Sequence, residues 1–342
     1  MMKIGFKRIS SCLLALTVFA FVLTPLSVMP RQGIAKAAVI PDAAMSTLFQ
    51  EAIPIYLDET YSHEERAADL VSRMTLKEKI SQIQNETPAV PRLGIKKYVW
   101  WSEALHGVAG QRATSFPSSL SMSLSWDRAL MLREGAAISD EARAYNKVAG
   151  KGLTYWSPTV NLARDPRWGR NEETYGEDAL LTSAISGAFI EGMQGTDSKY
   201  LKTVATVKHY MANNSEDYRH NTSSNLTGND LHNYYAVPYR NAVLNSKVYS
   251  LMTGYNAVNG IPVSANTYLL DTLLRKTWGF NGYVVSDCGA ISDVYLPEGH
   301  HWSSDGSTPS VANAAGACIT AGTDLAGTWY DTPYTTGAEP AL

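Results

Sequence analysis

The run Gly282-Tyr-Val-Val-Ser-Asp-Cys-Gly-Ala290 is a short apolar strand that stops at a carboxylate, Asp287, beside a cysteine and a glycine. Apolar runs of this length, closed by turn residues, are the signature of strands buried in a parallel sheet. A β/α scaffold presents its reactive groups at the carboxyl ends of such strands, which makes Asp287 a candidate nucleophile. The same residue also fits the plainer role of a cap for the following helix.

Outward from this segment the chain alternates. Strands are expected at Tyr98 to Trp101, Thr154 to Leu162, Thr203 to Lys208, Tyr249 to Thr253 and Tyr283 to Ser286. Helices are expected at Trp126 to Tyr145, opened by Ser125-Trp-Asp-Arg, and at Asp178 to Met193, Asp230 to Leu244, Thr267 to Thr277 and Ser310 to Ala321. Alternation of this kind implies parallel strands with crossover helices, and the expected fold is α/β, a TIM-like (β/α)8 barrel. Polar clusters follow the strands: Glu103, Arg164 to Arg170, Lys208-His209, Tyr255-Asn256 and Asp287. Side chains gathered at successive strand ends point to one active-site mouth. After Gly322-Thr-Asp-Leu325 the sequence turns to Gly, Thr, Pro and Tyr, so the barrel is expected to be incomplete at its C-terminal end.

Residues 1–37 are read as a secretory signal peptide. Lys3, Lys7 and Arg8 precede an apolar run from Leu13 to Val28, and Ala35-Lys36-Ala37 offers small residues at a cleavage site. A retained membrane anchor is the alternative, and the apolar stretch is short for one. Residues 38–72 are read as an N-terminal extension and 73–342 as the truncated barrel domain. The whole chain has 29 basic and 32 acidic side chains. Residues 1–37 hold five of the basic and none of the acidic ones, which leaves 24 against 32, a net of −8. That balance argues against nucleic acid or an anionic membrane as partner. Cys288 and Cys318 are the cysteines that remain, too few for a disulfide framework. The aromatic set, 19 Tyr and 8 Trp against 7 Phe, favours rings with an apolar face and a polar handle, which suit sugars.

Other chemistries find less support. The histidines show no metal-ligand spacing, so neither metal nor other cofactor is expected. Gly107-Val-Ala-Gly110 lacks the Lys-Ser/Thr of a phosphate loop. Cys288 as nucleophile is disfavoured because the adjacent carboxylate raises a thiol pKa. Lys208-His209 offers two adjacent donors for neighbouring hydroxyls. Arg170 is the ligand candidate of its loop, whose other charges, Arg164, Asp165, Arg167, Glu173 and Asp178, can pair among themselves.

The ordered pieces Trp100-Trp-Ser-Glu-Ala-Leu-His-Gly107, Ala113-Thr-Ser-Phe-Pro117, Arg164-Asp-Pro-Arg-Trp-Gly-Arg170, Val207-Lys-His-Tyr210, Met252-Thr-Gly-Tyr-Asn256, Asn259-Gly-Ile-Pro262 and Val285-Ser-Asp-Cys-Gly-Ala290 carry a resemblance. From about Arg73 to Asp324 the chain resembles glycoside hydrolase family 3, and within it the β-xylosidase branch. The resemblance implies an exo-acting retaining β-glycosidase with Asp287 as nucleophile. It implies sugar contacts from Glu103, Arg170, Lys208 and His209, with Trp101 beside the ring and Tyr255 near the nucleophile, and lesser contacts from Trp156 and Arg219. Its substrate would be an oligosaccharide or glycoside. Glu103 and Cys288 stand where the family's glucosidases commonly carry Asp and Trp, which favours a pentose. β-Glucosidase, α-L-arabinofuranosidase and a non-catalytic sugar-binding relic stay open. The family's acid/base glutamate is expected in a C-terminal domain absent from this chain, which a separately encoded partner could supply.

Overall fold

The computed structural model describes residues 53–328 and 333–341, so the signal-peptide reading of 1–37 lies outside the described residues. One compact unit begins at Pro54. Its strands are β1 (Glu86–Thr87), β2 (Tyr98–Val99), β3 (Thr154–Tyr155), β4 (Val204–Tyr210), β5 (Ser223–Ser224), β6 (Ser250–Thr253), β7 (Ala257–Val258), β8 (Ile261–Pro262) and β9 (Tyr283–Ser286). Its helices include α1 (His63–Arg73), α2 (Leu76–Ser81), α3 (Ser119–Ser123), α4 (Arg128–Ala149), α5 (Ala179–Gln194), α6 (Val237–Leu244), α7 (Ala290–Tyr295), α8 (Val311–Ala321) and α9 (Pro333–Ala341), with a π-wound helix at Tyr268–Thr277.

The architecture is α/β and TIM-like, and among the described residues the barrel does not close. Strands β3, β4, β6 and β9 form a parallel sheet in that order. The wall continues beyond β9 through single parallel bridges, Val285 to Leu325 and Gln84 to Ala326, rather than through full ladders. β1 and β2 pair antiparallel, and the Trp156 N–H donates to the Ser102 carbonyl at 2.7 Å beyond the other edge. Trp156, Met252, Val285 and Leu325, drawn from successive wall segments, pack as one buried apolar layer. This is how a small barrel fills its interior. Side chains alternate along a strand, so with Val285 turned into that layer, Asp287 points inward one step nearer the mouth.

Local chemistry accounts for the helices. Ser62 with Glu65, and Thr75 with Glu78, form reciprocal capping boxes on α1 and α2. Asp127, Asp178 and Ser310 cap α4, α5 and α8 through their side chains. The long helix therefore opens at Asp127 rather than at Ser125, because Trp126 between them holds a left-handed φ of 55°. The expected helix Asp230 to Leu244 is broken: a π-wound turn at Leu231–Tyr235 precedes α6, whose first turn contains Pro238. Proline there lacks the N–H that an uninterrupted helix would use. α4 and α5 touch backbone to backbone, since a Cβ on Gly135 would lie 2.5 Å from the Phe189 carbonyl oxygen. Residues 54–72 belong to this unit, and Lys199 Nζ donates to the Glu59 carbonyl at 2.9 Å.

Glu134 on α4 is 4 % exposed, and its Oε2 has no partner among the described residues. Burial pushes its carboxyl up to about 7. A carboxyl whose pKa is raised on folding binds protons more tightly in the native state, so stability falls as pH rises from about 4.5 to about 7. We predict that Glu134→Gln removes a pH-dependent loss of about 3 kcal/mol. Urea midpoints at pH 5 and pH 8 should converge in the variant relative to the parent, and an unchanged gap would show that Glu134 is not the group responsible.

Candidate active site

Asp287 follows β9 directly and is 7 % exposed. Its backbone N–H donates to the Thr253 carbonyl at 3.2 Å, and its Oδ1 accepts the Cys288 N–H at 2.7 Å. It does not cap α7, whose N-cap is Gly289 with no side-chain cap. Oδ2 has no sound hydrogen bond among the described residues. Burial raises the carboxyl pKa, opposed by the Lys208 charge, the Cys288 N–H, the Arg170 charge and the Tyr255 hydroxyl. A buried carboxylate under the charges of Lys208 and Arg170, with a phenol beside it, has the character of a reactive group.

Lys208 and His209 sit near the end of β4, where the register against β6 shifts between Val207 and Tyr210. In an even strand neighbouring side chains face opposite ways, whereas an irregularity re-aims them. Here both reach the mouth. Lys208 Nζ bonds Glu103 Oε1 at 2.9 Å and Oε2 at 3.0 Å. His209 Nε2 lies 3.5 Å from Asp287 Oδ2. Burial first, then the charges of Arg170, Lys208 and Arg219, hold the imidazole well below its usual pKa, so it is neutral. Burial likewise raises the Glu103 pKa, and Lys208 opposes it.

Arg170 makes a two-pronged pair with Glu173 at 2.8 and 2.7 Å, a fork geometry that fixes the guanidinium plane. Arg167 pairs with Asp165, while Asp178 is spent on capping α5. Tyr255 is held from several sides. The Arg219 guanidinium stands 4.7 Å over its ring, His220 packs 4.4 Å from it, and His300 Nε2 meets its carbonyl at 2.8 Å. Arg219 also pairs with Glu216, whose Oε2 accepts the Trp168 indole N–H.

Trp101 is 40 % exposed and meets Trp156 edge-on at 6.5 Å. Trp156 itself is 1 % exposed and belongs to the apolar floor, so it supports the mouth without an open face. Trp101 and Glu103 also line a cavity of about 570 Å³ together with Tyr98 and Tyr155. The Cys288 thiol is pushed up to about 11 by burial and by Asp287, which removes it as a nucleophile.

The sequence reading thus placed Asp287, Lys208, His209, Glu103, Arg170, Arg219 and Tyr255, which the fold brings together. It passed over Asn161, whose Oδ1 accepts the His209 N–H at 2.7 Å, and over His220, whose Nδ1 lies 2.7 Å from Asp293 Oδ2. Asn161 lies one residue before the end of the expected strand Thr154 to Leu162 and three before Arg164, and that position was the available signal.

A family model described as the glycosyl hydrolase family 3 N-terminal domain matches residues 65–332. The chain belongs to this family. The family 3 domain is 42 % identical over 276 residues to Beta-D-xylosidase 1 of Arabidopsis thaliana, covering 76 % of this chain and 35 % of that protein. It is 40 % identical over 301 residues to Beta-xylosidase/alpha-L-arabinofuranosidase 2 of Medicago sativa subsp. varia, covering 83 % and 38 %. A solved GH3 exo-beta-xylosidase, XlnD in complex with a xylobiose aziridine activity-based probe, superposes with a TM-score of 0.77 at 37 % identity, covering 84 % of this chain and 38 % of the other. The family 3 domain therefore spans well under half the length of these relatives.

Proposed function

We propose that this domain is the nucleophile-bearing part of an exo-acting retaining β-glycosidase, a β-D-xylosidase. The observation that carries the reading is the Asp287 carboxylate, buried at the end of β9 with Oδ2 3.5 Å from His209 Nε2 and under the charges of Lys208 and Arg170. The ionised oxygen attacks the anomeric carbon, a glycosyl ester forms, and the glycosidic C–O bond breaks with its electron pair on the leaving oxygen. A proton for that oxygen comes from a second carboxyl, which we assign to a part of the protein beyond this domain. Water, giving its proton to that second carboxylate, then attacks the anomeric carbon, the bond from that carbon to Asp287 breaks, and the free sugar leaves with the Asp287 carboxylate regenerated.

Arg170, Lys208, His209 and Glu103 grip the hydroxyls of the terminal sugar, Trp101 flanks its ring, and Arg219 acts through Tyr255. Trp156 serves beneath them. Glu103 is held at both oxygens by Lys208, so it cannot swing aside for a hydroxymethyl group. One such substituent decides only about 1 to 3 kcal/mol, enough for a preference for pentoses. The printed names of the plant relatives point the same way. The segment from Lys3 to Ala37 supports export.

The test is intact-mass analysis after exposure to activated aryl β-xyloside, β-glucoside and α-L-arabinofuranoside. One glycosyl unit added from the xyloside, mapped to Asp287, is the expected result. Sugar binding without any adduct or turnover would reject the catalytic reading, and an adduct from the glucoside alone would reject the sugar assignment.

A further inference from the structure

Asn161 is 2 % exposed. Its Nδ2 donates to the carbonyl oxygens of His209 and Asn213, each at 3.2 Å. Carbonyls only accept, so the amide cannot be turned over, and Oδ1 is its acceptor end. That oxygen takes the backbone N–H of His209 at 2.7 Å and faces the ring Nδ1 at 3.1 Å. An acceptor this close to Nδ1 requires the ring proton there. A neutral imidazole carries one such proton, which leaves Nε2 as a bare lone pair. It faces Asp287 Oδ2, a second acceptor, 3.5 Å away.

We propose that Asn161 is a positioning residue that locks His209 in the Nδ1–H tautomer, so that Nε2 accepts a hydrogen bond from a substrate hydroxyl and leaves Asp287 undisturbed. This rests on the reading of His209 and Asp287 as sugar-facing groups. The couple Lys208-His209 is then one donor and one acceptor rather than two donors. The distinction matters for reactivity. A His209 ring with its proton on Nε2, or an imidazolium, would donate to Asp287 and lower its basicity as nucleophile. The charges that act on the ring are those of Arg170, Lys208 and Arg219, all cations, and its Nε2 lies 3.5 Å from the carboxylate of Asp287. From below, the Tyr239 hydroxyl binds the His209 carbonyl at 2.7 Å and fixes the backbone that presents the ring. The three cations and the burial oppose a second ring proton, and Asn161 decides where the single one sits.

The experiment is nitrogen-15 NMR of the whole protein labelled at the histidine rings, with the His209 signals assigned by their loss in His209→Gln. Across roughly pH 5 to 8 the His209 Nδ1 should show the protonated signature and Nε2 the bare one. In Asn161→Asp the carboxylate should draw a second proton onto the ring, and kcat/KM on the activated xyloside should fall at least about tenfold. Proton density on Nε2 in the parent protein overturns the lock, whatever the turnover. If Asn161→Asp does not fold, the parent spectrum alone decides. A parent with the stated tautomer but no adduct or turnover keeps the lock and rejects the glycosidase reading instead.

Discussion

Replacing Asp287 by alanine is expected to lower hydrolysis of an activated aryl β-xyloside by on the order of 10⁴-fold or more, because loss of a nucleophile removes the covalent route altogether. No glycosyl adduct should remain visible by intact mass, while sugar binding by calorimetry survives through Arg170, Lys208 and Glu103. Stability gives a second readout with a fixed sign. The carboxyl pKa is raised by burial, so the ionised form at neutral pH is less favourable in the folded state than in the unfolded one. Alanine removes that cost, and the melting temperature of Asp287→Ala should equal or exceed the parent's. A variant that loses activity together with several degrees of melting temperature would mean that Asp287 is structural. The same raised pKa predicts the acid side of the pH profile. The ionised carboxylate is the attacking form, so kcat/KM should fall as pH drops through a value above the ordinary aspartate range near 3.9.

Lys208→Met is expected to cost about 3 to 5 kcal/mol of stability, the range for breaking a buried ion pair from one side. The Lys208 side chain is 6 % exposed and that of Glu103 25 %, so the cost falls toward the lower end of that range, and the lysine satisfies both oxygens of Glu103. Burial already raises the Glu103 pKa, and the lysine charge is the largest influence against it. Without the lysine, Glu103 must take up a proton or stay charged and unpaired. Lys208→Met with Glu103→Gln removes the stranded charge, so the double variant should recover most of the urea midpoint. Sugar binding should stay weak in both, because the ammonium is gone from the mouth in each and the double variant lacks the carboxylate as well. A single variant within about 1 kcal/mol of the parent would place this pair among solvent-screened surface bridges instead.

Much of the fold was legible because parallel strands buried on both faces read as apolar runs with sharp ends. Tyr283–Ser286 and Ser250–Thr253 lie within a residue of their expected bounds, and α5 and α8 start one residue after their caps, Asp178 and Ser310. The segment Thr154 to Leu162 was harder. Only Thr154–Tyr155 is a ladder, with a bridge from Thr159 to Lys208 further on, since Pro158 has no N–H to contribute. The helices α1 and α2 were overlooked although Ser62-x-x-Glu65 and Thr75-x-x-Glu78 announce them. Their apolar faces are modest, and capping chemistry alone marks their starts.

The sequence by itself determined which groups are present at strand ends: a carboxylate after β9, a lysine and histidine near the end of β4, and an arginine in the loop between β3 and α5. Those placements follow from local rules, since apolar alternation and caps act over a few residues. Only the tertiary structure decided what these groups do to one another. Lys208 closes on Glu103 across 105 positions of chain, and Asn161 reaches His209 across 48. Charge state and tautomer depend on burial and on partners that barrel winding brings within about 3 Å, where hydrogen bonds and desolvation outweigh any intrinsic preference of the residue.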